Sequence, residues 1–188
     1  MVPATPKADN RRQAIMRASI EIIDAHGAEG LSMARVAEAT GLSRPAIYQY
    51  FASKEHILGE LLIDDMADLS NEIDRIVAGV QEPMEQIRLW MHYSLAHLAS
   101  ADHLVVREIS MTHLRPEHRG ELMAMHGFFL TTLHSPLMAL GVKDPTSLGS
   151  MIFGAVNSAA QRIYSGASFI DEASTLEKFV IAGIEAAL

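Results

Sequence analysis

Cysteine does not occur among the 188 residues, which excludes a disulfide framework and any thiol chemistry. Long apolar runs are missing as well: nothing approaches the roughly 18 uninterrupted apolar residues that mark a membrane span. The opening stretch, MVPATPKADNRR, holds no apolar run and does not read as a secretory signal. The chain is therefore expected to be soluble and cytoplasmic, with no membrane partner. Strand-like alternation and internal repeats are absent. So are a Gly-rich phosphate loop, a nucleophile motif and a pair of carboxylates with a plausible base, so an enzyme is not expected and no cofactor is implied.

Positive charge is scarce. The formal net charge is −8, which at first sight argues against a polyanion partner. Residues 1–56 carry seven basic side chains against six acidic, a balance of +1, whereas residues 57–188 carry eight against seventeen, a balance of −9. A phosphate meets the local potential, so a near-neutral head with clustered bases can still grip a nucleic-acid backbone, with little non-specific affinity.

Apolar residues are plentiful at 49%, which marks a globular chain. Its length suits one extended domain or two small ones with ample core. Residues 1–9 read as a polar arm in which two prolines forbid helix, and Lys7, with Arg11 and Arg12, is placed to reach a phosphate. From Asp9 or Asn10 to His26 the recurrence of Ile15, Ala18, Ile22 and Ile23 predicts a helix, which Gly27 and Gly30 end.

The stretch SMARVAEATGLSRPAIYQYFASKE, Ser32 to Glu55, organises the chain. Ser32 is a good N-cap, Gly41 stands where a helix end wants a left-handed residue, and Ser43 caps a second helix with Pro45 in its first turn. Ser53 caps the next. Two short helices joined by a tight Gly-containing turn form a helix-turn-helix, whose second helix enters the DNA major groove. The order Ala37, Gly41, Leu42, Ser43, Tyr48, Phe51, Lys54, Leu58 resembles the N-terminal signature of TetR/AcrR-type transcriptional regulators, over roughly residues 10–60. The resemblance implies phosphate contacts from Ser32, Tyr48, Tyr50 and Lys54, and a groove-facing surface of Arg44, Pro45 and Gln49. Arg44 can fork onto guanine O6 and N7, and Pro45 can pack on a thymine methyl.

A long helix follows from Ser53 to about Gly79, with Leu58, Leu62, Met66, Leu69, Ile73, Ile76 and Val80 as its apolar seam. Further helices are expected from Pro83, over 102–113, from Pro116 towards Leu140 with a kink or break at Pro136, and over about 145–166 and 171–187. The expected fold is all-α with about nine helices: a three-helix helix-turn-helix DNA-binding head over 1–56 and a helical ligand-binding and dimerisation body over 57–188.

In the body, polarisable and polar residues are thick among apolar ones. Trp90, Met91, His92, Arg107, Met111, Met125, Phe128 and Phe129, with Asn157 and Gln161, are candidates to line a pocket for a small, largely apolar effector. The last two helices carry small-residue faces. Ile152, Val156, Ala159 and Ile163 on one, with Phe179, Val180, Gly183 and Ile184 on the other, are candidates for a two-fold four-helix interface, as the resemblance also implies. Seven of nine histidines fall between 92 and 134, but His92/His97 and His113/His118 are spaced i,i+5 and share no helix face, so no metal site is assigned. The function expected is a homodimeric repressor released from a palindromic double-stranded DNA operator by a small molecule. The alternative is a small-molecule or metal-binding helical protein in which the helix-turn-helix is only scaffold.

Overall fold

The computed structural model describes residues 6–107, 109, 112 and 114–188, apart from the side chains of 6–9, 102 and 104. Met111 and His113, named above, lie outside the described residues, as does the side chain of Lys7. The described residues form ten α-helices and one 3₁₀ turn, without a strand. The all-helical class holds.

Helix α1, Pro6–His26, begins earlier than the sequence pattern suggested. Pro6 takes the first helical position, where its missing N–H would have had no partner, so it opens the helix instead of forbidding it. After the 3₁₀ turn Ala28–Gly30 come α2, Met33–Thr40, and α3, Arg44–Tyr48. Helix α4, Lys54–Val77, is the longest. Then follow α5, Pro83–Leu98, and α6, Ala101–Arg107, which stops well short of the expected residue 113. The stretch expected to run from Pro116 to Leu140 is two helices, α7, Pro116–Thr131, and α8, His134–Leu140. The break precedes Pro136, which sits in the first turn of α8, where no donor is lost. Two long helices close the chain, α9, Pro145–Tyr164, and α10, Phe169–Ala186.

Two compact units emerge. The first runs to Asp65 and takes in Leu104–Leu122; the second comprises Met66–His103 and Met123–Leu188. The expected boundary at 56/57 differs from this division. The reason is packing: Ile57, Leu58 and Leu61 of α4 join Ile15, Ile23, Leu31, Val36, Ile47 and Phe51, and Val106, Ile109 and Leu114 complete that core from far along the chain. In the second unit Leu69, Ile73, Ile87, Leu95, Phe129, Leu137, Ile152, Val156, Leu176, Val180 and Ile184 surround Trp90. Trp90 stacks on Phe129 with ring centroids 4.9 Å apart, and its indole N–H donates to Thr132 Oγ1 at 2.8 Å. The one polar atom of the indole is thereby satisfied inside an apolar core.

Candidate nucleic-acid interface

Local rules account for the helix-turn-helix. Ser32 Oγ accepts the Arg35 N–H at 3.3 Å and starts α2, while Gly41 ends it at φ 66°, a left-handed conformation that suits glycine. Ser43 Oγ accepts the Ala46 N–H, with Pro45 inside the first turn of α3. Ile47 and Phe51 point inward and are fully buried. That orientation leaves Arg44, Pro45, Tyr48 and Gln49 exposed on one short helix and its cap.

The cations of the head fall into two groups. Lys54 Nζ lies 3.7 Å from Glu29 Oε2, a surface pair weak enough for a phosphate to displace. Arg12 is committed elsewhere: it pairs with Glu60 and Asp64 and lies over the Phe51 ring, so it braces α1 against α4 and is not the backbone contact expected of it. Arg35 donates to Gly30 O at 2.8 Å and holds the preceding turn. Arg11, Arg17 and Arg44 are exposed. Tyr50 packs partly against the head's core, so it meets solvent along part of its ring while Tyr48 is 53% exposed. At the turn after α3, His56 Nδ1 accepts the Ala52 N–H at 3.1 Å. Burial holds this imidazole below its usual range despite the pull of Glu60.

Residues 15–61 match the family model described as bacterial regulatory proteins, tetR family. Over those residues the chain carries a helix-turn-helix segment of the tetR type. Among relatives, a nucleoid occlusion factor, SlmA, of Vibrio campbellii is 32% identical over 94 residues, half of this chain and 48% of that protein. The transcriptional repressor AcnR of Corynebacterium glutamicum is 33% identical over 99 residues, 50% of this chain and 52% of that one. The chain thus spans about half the length of the curated relatives it matches. The fold is also similar to that of solved structures: a fatty acid degradation regulator, FadR, from Bacillus halodurans superposes with a TM-score of 0.78 over 97% of this chain and 98% of that one, at 19% identity. FadR of Bacillus subtilis, solved with stearoyl-CoA, superposes with a TM-score of 0.76 over 91% and 98%, at 17% identity. At such identities these structures show a shared fold. No described helix is long and apolar enough to cross a membrane.

The second unit does not bring its described pocket candidates together. Trp90, Met91 and Phe129 are buried in its core and touch one another's neighbourhood instead of a cavity. His92 is exposed, with Nε2 3.4 Å from Glu177 Oε2. Arg107 is exposed and belongs to the first unit. On α9, Asn157 bonds back to Phe153 O at 2.9 Å, and Gln161 is exposed. Among the described candidates, Met125 and Phe128 line a common groove, of about 280 Å³, which Met66, Ser70 and Ala124 complete. Met66 was legible as part of the α4 seam, but nothing in that seam distinguished a groove wall from core.

Interface candidates also divide. Ile152, Val156, Ala159, Val180 and Ile184 are buried and belong to the second core, while Ala159, Ile152 and Val180 also line the surface clefts beside Phe179. Ile163 and Gly183 are half-buried, and Phe179 is 63% exposed. The outward stripe lies one residue away, at Met151 (66% exposed) and Ala155 on α9 and at Phe179, Gly183 and Ala186 on α10. Phe179 stands between two clefts. One, of about 360 Å³, is lined by Ala155, Ser158, Arg162, Glu172 and Thr175; the other, of about 270 Å³, by Leu148, Met151, Gly183 and Ala186.

Proposed function

We propose that this chain is a cytoplasmic, homodimeric transcriptional repressor that leaves a palindromic DNA operator when a small, largely apolar molecule binds its body. The carrying observation is α3: two buried apolar anchors, Ile47 and Phe51, fix a capped helix so that Arg44, Pro45, Tyr48 and Gln49 all face outward. A polar, guanidinium-bearing helix held this way is what major-groove readout requires. Ser32, Tyr48, Tyr50 and Lys54 are proposed to meet phosphates, and Arg44, Pro45 and Gln49 to meet bases.

Dimerisation is proposed through the exposed stripe of α9 and α10. A knob such as Phe179 flanked by clefts is self-complementary under a two-fold axis, because each copy can seat its ring against the other's cleft. The groove of Met66, Met125 and Phe128 supports an apolar effector, since thioethers and aromatic faces adapt to such a ligand. The effector releases DNA by favouring a head separation other than that of successive grooves. Without differential affinity for the two states it would shift nothing.

The test is binding to DNA from the chain's own promoter region. Sequence-selective, salt-dependent binding at least about 10³-fold tighter than to random duplex is expected. Equal affinity for both duplexes would make the helix-turn-helix a scaffold only.

A further inference from the structure

His56 and Glu60 stand one turn apart on α4, and His118 enters from the first turn of α7. Both imidazoles turn Nε2 to the same carboxylate oxygen: Glu60 Oε1 lies 3.6 Å from His56 Nε2 and 3.9 Å from His118 Nε2. The other oxygen, Oε2, is held by Arg12, which fixes the carboxylate plane and leaves Oε1 to the rings. One donor atom from each of the three residues falls within 4.8 Å of the other two.

The separations of 3.6 and 3.9 Å are too long for hydrogen bonds. They are close to what a tetrahedral zinc-class ion imposes, since bonds of about 2.0–2.2 Å place ligand atoms about 3.3–3.5 Å apart. A shift of a few tenths of an ångström brings Glu60 Oε1 to that spacing from each imidazole, and all three donors already lie within 4.8 Å of one another. His118 supplies the second observation. It is 6% exposed, its Nδ1 is buried without a hydrogen-bond partner, and its ring stacks on His56 at 5.3 Å. Gly59 makes that seat: any Cβ at residue 59 would overlap the His118 ring. The Nε2 edge of this ring faces Glu60 Oε1 at 3.9 Å, beyond hydrogen-bond range, so the carboxylate does not already hold the nitrogen that would bind the ion.

We propose that His56, Glu60 and His118 form a binding site for one divalent transition-metal ion of the zinc class, with solvent in the remaining position. Two imidazoles and a carboxylate suit such an ion, and His56 and Glu60 have the i,i+4 spacing that sets two ligands on one helix face. The proposal stands whether or not the chain binds DNA. Binding has one defined consequence. Ligation through Nε2 forces the His56 proton onto Nδ1, which then no longer accepts the Ala52 N–H. That amide sits at an exposed residue directly after the reading segment and passes to water, so occupancy of the site alters the joint between α3 and α4.

The experiment uses the untagged, metal-free full chain titrated with Zn²⁺ by calorimetry and with Co²⁺ by visible absorption. One equivalent per chain is expected, together with a shift of the Ala52 amide resonance. His56→Gln and His118→Gln should each weaken binding at least 10-fold, while His134→Gln, a substitution in the second unit, leaves it unchanged. Glu60→Gln keeps the side chain's shape and provides the same measurement where His118→Gln does not fold. Absence of saturable binding, or binding that survives both histidine substitutions, would overturn the site.

Discussion

Arg44 is exposed, and no hydrogen bond or ion pair holds it among the described residues, so it reaches a base without first breaking a contact. Lys54 must leave Glu29 and Arg12 is tied to Glu60 and Asp64, which separates the reading cation from the bracing ones. Arg44→Ala is therefore expected to cost about 1–3 kcal/mol at one base position and to relax selectivity there. Fluorescence anisotropy on single-base operator variants checks this, and a loss equal across all variants would make Arg44 a phosphate contact. His126 offers a second prediction at this scale. Burial lowers its imidazole below the usual range, and its ring lies edge-on to Phe153 at 4.6 Å. A depressed histidine is neutral in the fold, so stability is full above the unfolded-state value of about 6.5 and declines as pH falls through the folded one. Thermal melts from pH 7.5 to 5 should show that decline, and His126→Phe should flatten it. A slope identical in both proteins would place the titration elsewhere.

At the scale of elements, what could be read depended on whether the signal was local. Caps and turns are local: Ser32, Gly41, Ser43 and Pro45 each do in the structure what their chemistry demands, which is why the helix-turn-helix was visible in the chain. An apolar stripe is not local. Periodicity finds an apolar face without saying whether a neighbour in the same chain or a second copy covers it. On α9 and α10 two apolar stripes run one residue apart, and the branched one, Ile152, Val156, Val180 and Ile184, was taken by the chain's own core. The same ambiguity sent Trp90, Met91 and Phe129 to the core, although their types also suit a pocket. Adjacent residues now make the distinction testable. Phe179→Asp should leave the helical content intact and yield monomers, because it charges only the exposed knob. Val180→Asp should unfold the body, since it buries a carboxylate without a partner. Sedimentation and circular dichroism on the pair decide it. A Phe179→Asp protein that remains dimeric moves the interface off this face.

For the whole molecule, the division into units shows what a linear pattern omits. The sequence pattern placed everything after residue 56 in one body, whereas Leu104–Leu122 returns to the first unit through Val106, Ile109 and Leu114. Contacts between residues far apart in the chain leave no mark on local periodicity. The same unit carries the histidine overlooked when only neighbours such as His113 and His118 were compared: its partner is His56, on another helix. Function at this scale rests on number. In the proposed dimer, one head with a charge balance near neutral would hold DNA weakly, and engaging two heads at once would multiply affinity by about 10²–10⁴ over either alone. Both can engage only when half-sites fall one helical turn, about 34–36 Å, apart on one face of the duplex. Inserting five base pairs between the half-sites moves the second by about 17 Å along the axis and half a turn around it. Affinity measured by anisotropy should then drop to that of an isolated half-site, a loss of about 10²-fold or more. The Phe179→Asp monomer should bind the intact and the expanded operator equally, since it never had a second head to misplace. If the native chain also tolerates the insertion, its heads act independently, and no two-fold assembly governs its grip on DNA.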